Sequence, residues 1–242
     1  MMDRRRVLVG GATVGLAAAG GCASLAGGGG RPEQTVWRFG QLDRIAAPLT
    51  FEGAPVRVDG PASIAGGGQG ALQFDGVDDA LFIGAHPLAG AETFAFEAVF
   101  RPDGGAFEQR WLHLETDEAT PQGQNPGGTR FLFEIRVYDD QWALDTFAKG
   151  PGYHQTLLFP DKRHPVGRWH HVAQTYDGTT YRAFVDGVLQ GEAAIAFSPQ
   201  GPGRASVGTR INRRSYFNGA VAEARFTKRY LRPDQFTGVN PI

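Results

Sequence analysis

Apolar and polar residues alternate with a period of two along most of this chain. Over residues 93–101, Phe94, Phe96, Ala98 and Phe100 fall on one face and Ala95, Glu97, Val99 and Arg101 on the other. Over residues 129–139, Phe131, Phe133, Ile135 and Val137 stand against Arg130, Leu132, Glu134, Arg136 and Tyr138. Successive side chains of a strand point to opposite faces, so these runs predict antiparallel strands with one buried face. Further strands are predicted at 36–40, 71–74, 80–83, 109–115, 141–147, 169–176, 180–186, 188–194, 205–208 and 219–227. Asp186-Gly187 predicts a two-residue hairpin turn in which both residues adopt positive φ. Tyr176-Asp177-Gly178 predicts a second reversal, and only residues 233–236 suggest a helical turn. A dozen short strands with almost no helix predict an all-β fold, an antiparallel β-sandwich.

Composition agrees. Glycine, at 35 of 242 residues, is about twice its usual ~7%, and 15 prolines accompany it, as many tight turns require. One cysteine permits no internal disulfide, so a sizeable apolar core must hold the fold together, which this length allows. The full chain carries 24 Lys+Arg and 25 Asp+Glu. Residues before Cys22 include Arg4, Arg5, Arg6 and Asp3, so the remainder is net negative by about three charges. Such a surface argues against general phosphate-backbone binding, and no nucleic-acid partner is expected.

The N-terminus predicts a destination. Arg4-Arg5-Arg6 precedes an apolar, glycine-rich stretch from Val7 to Ala19, too short for a membrane span of ~20 residues. A basic head before a short apolar run is the pattern of an export signal, and the paired arginines resemble the twin-arginine type. Ala19-Gly20-Gly21-Cys22 resembles the lipobox of bacterial lipoproteins, although Ala19 stands where leucine is usual. That resemblance implies lipidation of Cys22 and a membrane-bound N-terminus. A tether with the run Gly27-Gly28-Gly29-Gly30 follows, of a composition that has nothing to bury. Ala23, instead of Asp, implies the outer membrane by resemblance to envelope sorting rules. The expected organisation is a signal over 1–21, a lipidated tether over 22–34 and one domain over 35–242.

Four segments carry a family resemblance. They are Ala71 to Ile83 with its Phe74-Asp75-Gly76 turn and Asp78-Asp79, Thr93 to Pro102, Gly167 to Gly178 continuing through Val185-Asp186-Gly187, and Tyr216 to Phe226 closing with Tyr230-Leu231. In order and spacing they resemble the laminin-G-like, concanavalin A-like jelly-roll family over about residues 36–236. The resemblance implies a concanavalin A-like jelly roll. It does not name an activity, because the family holds lectin-like modules, adhesion domains, hydrolases and lyases.

Candidate chemistry is sparse. Asp75, Asp78 and Asp79 could hold calcium or simply cap their turn. Relatives place an acidic residue just before the position of Glu223, and here it is Ala222; no cofactor is expected. His170 and His171 are neighbours on a strand and must face opposite ways, so they read as architecture and not as a joint metal site. Glu115, Asp117 and Glu118 resemble the acid cluster of jelly-roll hydrolases, but Thr120 breaks the spacing, which leaves them at a loop rim. No serine elbow, phosphate loop or CxxC pair is present. Arg130, Glu134, Arg136 and Tyr138 share an outward face, with Trp142 and Asp145 next in sequence. Rings beside charged hydrogen-bonding groups suit a sugar, and these residues with Trp142 are the candidate ligand site. Arg210, Arg213, Arg214 and Tyr216 form a basic loop able to meet acidic glycans or only solvent. The expected function is a membrane-anchored, non-catalytic module for a glycan or another envelope component. The alternatives are a polysaccharide-active hydrolase or lyase, or a protein scaffold.

Overall fold

The period-two segments fold as strands. The computed structural model describes residues 33–61, 70–117 and 128–237, all within the compact unit Pro32–Ile242. Cys22 and most of the expected tether lie outside the described residues; Gln34, assigned to the tether, opens the first strand.

Among the described residues sixteen strands run in chain order: β1 Gln34–Arg38, β2 Leu49–Glu52, β3 Val56–Val58, β4 Ala71–Asp75, β5 Ala80–Ile83, β6 Phe94–Pro102, β7 Glu108–Thr116, β8 Arg130–Tyr138, β9 Gln141–Gly150, β10 Tyr153–Leu158, β11 His164–Pro165, β12 His170–Tyr176, β13 Thr180–Val185, β14 Val188–Ala194, β15 Gly203–Val207 and β16 Asn218–Thr227. One sheet has the order β14-β13-β12-β6-β16-β4-β3, with β1 also on β16. The other has the order β10-β9-β8-β7-β15-β5-β2, with β11 also on β9. Every pairing is antiparallel. The result is the expected all-β sandwich. Strands β2, β3, β10 and β11, short or at sheet edges, were not legible from alternation. Among the described residues no helix is long and apolar enough to cross a membrane.

Aromatic rings from both sheets fill the core. Phe96 of one sheet lies 4.1 Å from Phe133 of the other, and Phe100 lies 4.8 Å from Trp111. At β6 the expectation of one solvent-facing side fails, because Ala95, Glu97 and Val99 are buried too. The C-terminal segment covers that side: Thr237 N–H donates to Glu97 Oε2 at 2.6 Å, and Phe236 stacks near His171.

The turns follow their chemistry. Asp186 and Gly187 take φ of 49° and 78° and join β13 to β14 as a tight hairpin. Asp186 also accepts from the His171 N–H and contacts His170 Nδ1, each at 2.8 Å. The Asp75 carboxylate accepts from the N–H groups of Val77, Asp78 and Asp79, and Asp79 accepts from Asp75 and Ala54. The first of these bonds holds Asp75 below its ordinary pKa, against the opposing effect of burial. Three of the four oxygens on Asp75 and Asp79 are thus spent on the backbone. Each of Asp75, Asp78 and Asp79 still brings a carboxylate oxygen within 4.8 Å of the others, so the turn-capping and calcium readings both fit this turn.

Candidate functional site

The hairpin between β8 and β9 decides which side chains share a face. Its turn is Asp139-Asp140, with Asp139 at φ 55°, so Tyr138 pairs with Gln141 and Val137 with Trp142. Trp142 therefore points the same way as Val137, into the core. It is 0% exposed and packs on Phe100, His164 and His170 at 5.0–5.2 Å. The expected placement of Trp142 beside the outward face is corrected: a two-residue turn gives the opposite parity.

The other four predicted residues do share the outward face. Cross-strand partners extend it in rows: Lys149, Arg130, Glu115 and Arg204; then Phe147, Leu132, His113 and Ser206; then Asp145, Glu134 and Arg110; then Ala143, Arg136 and Glu108. From Arg130 to Tyr138 this track is about 27 Å long, at ~3.4 Å per residue. Two outward residues of β7, Arg110 and His113, are an odd number of positions apart, so strict alternation would put them on opposite faces. A bulge at Trp111 inserts one residue and restores them to one face. Sequence alternation could not show this, because Trp111 and Leu112 are both core.

The middle rows form an ion network. Arg110 bonds Glu108 and Glu134, and Arg136 reaches Asp145 at 2.6 Å and Glu108 at 3.3 Å. Burial, reinforced by Glu134, pushes the Asp145 carboxyl up to about 7 although Arg136 and Arg110 oppose it. Burial raises Glu108 as well, but Arg110 and Arg136 outweigh it and hold Glu108 below the usual carboxylate range. At the far end, Tyr138 meets Phe107 edge-on at 5.4 Å, Arg163 lies 4.2 Å over the Tyr138 ring, and Phe107 is 56% exposed.

At the opposite end a loop folds over the sheet. Gly208, at φ +85°, turns the chain out of β15; a Cβ there would meet the Phe74 ring at 2.3 Å. The loop is tied down by Arg110 N–H donating to Ser215 O at 2.9 Å and Ser206 Oγ donating to Thr209 O at 2.7 Å. Ile211 N–H donates to His113 Nδ1 at 3.1 Å. Between loop and sheet lies a cleft of about 180 Å³ lined by His113, Glu115, Arg204, Arg210, Ile211 and Asn212. Glu115, within the strand predicted over 109–115 but expected at a loop rim, is buried and lines this cleft. Burial raises its pKa against the pull of Arg204, Arg130 and Arg210. Burial also holds His113 well below the ordinary imidazole range, with Arg210 and Arg130 adding to the effect. Of the basic loop, Arg210 faces the cleft, whereas Arg213 forks onto Glu52 at 2.8 Å.

His170 and His171 face opposite ways as expected. His170 contacts Asp186 and Pro165 O, while His171 contacts Glu97 on the other side. Both ring nitrogens of His170 face oxygen atoms, and His164, His170 and Asp186 each bring a potential ligand atom within 4.8 Å of the others.

A model of the concanavalin A-like lectin/glucanases superfamily, of laminin G type, matches residues 75–236. The chain belongs to this superfamily. Several solved structures resemble it at low identity. Domain 4 of AbnA, a GH43 extracellular arabinanase from Geobacillus stearothermophilus in complex with arabinotriose, matches with a TM-score of 0.60 and 14% identity, over 84% of this chain and 96% of that one. The Ruminococcus gnavus IT-sialidase CBM40 bound to α2,3-sialyllactose matches with a TM-score of 0.51 and 13% identity, over 76% and 95%. The Streptococcus pneumoniae NanB sialidase matches with a TM-score of 0.50 and 17% identity, over 64% of this chain and 25% of that one. A search of curated protein sequences finds no match. At these identities the similarity establishes the fold, and function must be argued from the site.

Proposed function

We propose that this chain is a non-catalytic glycan-binding module, exported and held at the cell envelope by lipid on Cys22. The observation that carries the glycan reading is the outward face of β7, β8, β9 and β15. It offers a track of hydrogen-bonding groups that ends in a cleft on one side and in the exposed Phe107 ring beside Tyr138 on the other. Sugars are bound by such combinations, an aromatic surface for the C–H face and directional polar groups for the hydroxyls. Two of the similar structures hold arabinotriose and sialyllactose, which agrees with this class of ligand. The anchor rests on the signal-like segment before Cys22.

A second reading, a polysaccharide-active enzyme, draws on one observation. Glu134 and Asp145 are direct cross-strand partners, and Asp145, pushed up to about 7, holds its proton as a general acid must. Its accessibility weighs against that role. Asp145 is 0% exposed beneath Arg136, whereas a general acid must come within about 3 Å of the bond it protonates. A glycan array read alongside reducing-sugar release from the same polysaccharides separates the readings. Binding without release is the expected result. Release of reducing ends would replace the module with an enzyme, and silence in both assays would leave a protein scaffold.

A further inference from the structure

We propose that the cleft between β7, β15 and the Gly208–Phe217 loop seats the carboxylate of an acidic sugar. This rests on the glycan-binding reading of the same face and adds the class of ligand.

Charge is distributed unevenly along the track. In its middle, Glu108 and Glu134 suffice to compensate Arg110 and Arg136, without counting Asp145. At the cleft end, Lys149 and Arg204 stand in the row of a single acid, Glu115, and Arg210 descends from the loop above. The nearest approach of Arg204 to Glu115 is 3.7 Å, and Arg210 has no carboxylate within 4.0 Å among the described residues. Among the described residues, Lys149, Arg204 and Arg210 at this end therefore outnumber the one acid of their row, Glu115.

The hydrogen-bond inventory has the same sign. His113 is buried and lines the cleft. Its Nδ1 accepts from Ile211 N–H, so the ring proton resides on Nε2, which has no acceptor among the described residues. Arg210 Nε is likewise buried without one. The Arg210 guanidinium is itself made less favourable as a cation, first by burial and then by Arg110. A site with buried donors and surplus cations calls for a ligand group that only accepts and carries negative charge. A carboxylate does so, and its two oxygens match the planar fork of arginine. Glu115, in the centre of the row, favours a monoanion over a dianion such as a phosphate ester, and can accept a hydroxyl of the same sugar. The cleft, at about 180 Å³, holds a carboxylate and part of its ring while the rest of the chain follows the track.

The test is calorimetry on the exported chain at fixed salt. The probes are oligogalacturonate, hyaluronan oligosaccharide and 3′-sialyllactose, each with its methyl ester, together with neutral arabinotriose and dextran sulfate. At least one free acid should bind, and its methyl ester should bind at least tenfold more weakly. Arg204→Gln and Arg210→Gln should each lower acid binding at least tenfold. Arg204, 46% exposed in its side chain, can be changed without disturbing the fold, and an unchanged melting temperature confirms it. Arg213→Gln, tied to Glu52 outside the cleft, should bind as wild type. Equal binding of acid and ester, or binding of arabinotriose or dextran sulfate alone, overturns the carboxylate assignment and leaves the glycan reading intact. Failure of every probe and of the glycan array removes both.

Discussion

Trp142→Ala separates a core residue from a ligand platform. The ring is 0% exposed, pairs in register with Val137, and meets Phe100, His164 and His170 at 5.0–5.2 Å. Truncating a buried Trp to Ala costs about 3–5 kcal/mol, through lost transfer energy and the cavity left behind. Its Nε1 makes no hydrogen bond among the described residues, so no bond is lost with the ring and the lower end, about 3 kcal/mol, applies. For a domain of this size that is a fall in melting temperature of about 6–12 °C. Differential scanning calorimetry reads it directly, beside a calorimetric titration with whichever glycan the array returns. Trp142→Phe keeps a ring against Phe100 and should lose distinctly less. A Trp142→Ala protein that melts within about 1 °C of wild type yet fails to bind would refute the argument. The ring would then belong to the ligand face, and the register of β8 on β9 would be wrong.

Gly187→Val forces a β-branched side chain to φ 78° and should cost at least about 1 kcal/mol, read as a lower denaturation midpoint; an unchanged midpoint would contradict the tight turn. Asp145, raised to about 7 in the folded chain from an ordinary value near 4, makes the native state bind the extra proton between those two pH values. The stability this group contributes is complete below about pH 4 and disappears as pH rises through about 7, by at most about 4 kcal/mol at ~1.4 per unit. His86, which burial lowers to about 4, slopes the other way, so the measurement is the difference between wild type and Asp145→Asn across pH 4.5–7.5. That difference should fall with pH, and a rise would reverse the assignment. A palmitate analogue should label the wild type and not Cys22→Ser, and equal labelling of both would remove the anchor.

The sequence by itself determined the sandwich. Phe131, Phe133, Ile135 and Val137 at alternate positions can be buried together only on one face of a strand, and Asp186-Gly187 can reverse the chain only as a tight turn. Such local rules need no knowledge of what lies opposite, and for the same reason Arg130, Glu134, Arg136 and Tyr138 could be placed together. Only the tertiary structure decided what covers that face and what joins it. A turn of two residues, not three, sent Trp142 inward. A bulge at Trp111 brought Arg110 and His113 to the same side. A loop some hundred residues further along the chain lowered Arg210 towards His113 and made a cleft. Parity of a turn, one extra residue in a strand and the landing point of a distant loop leave no periodic trace. They are settled by which arrangement buries the aromatic core while leaving the charged groups partners or water.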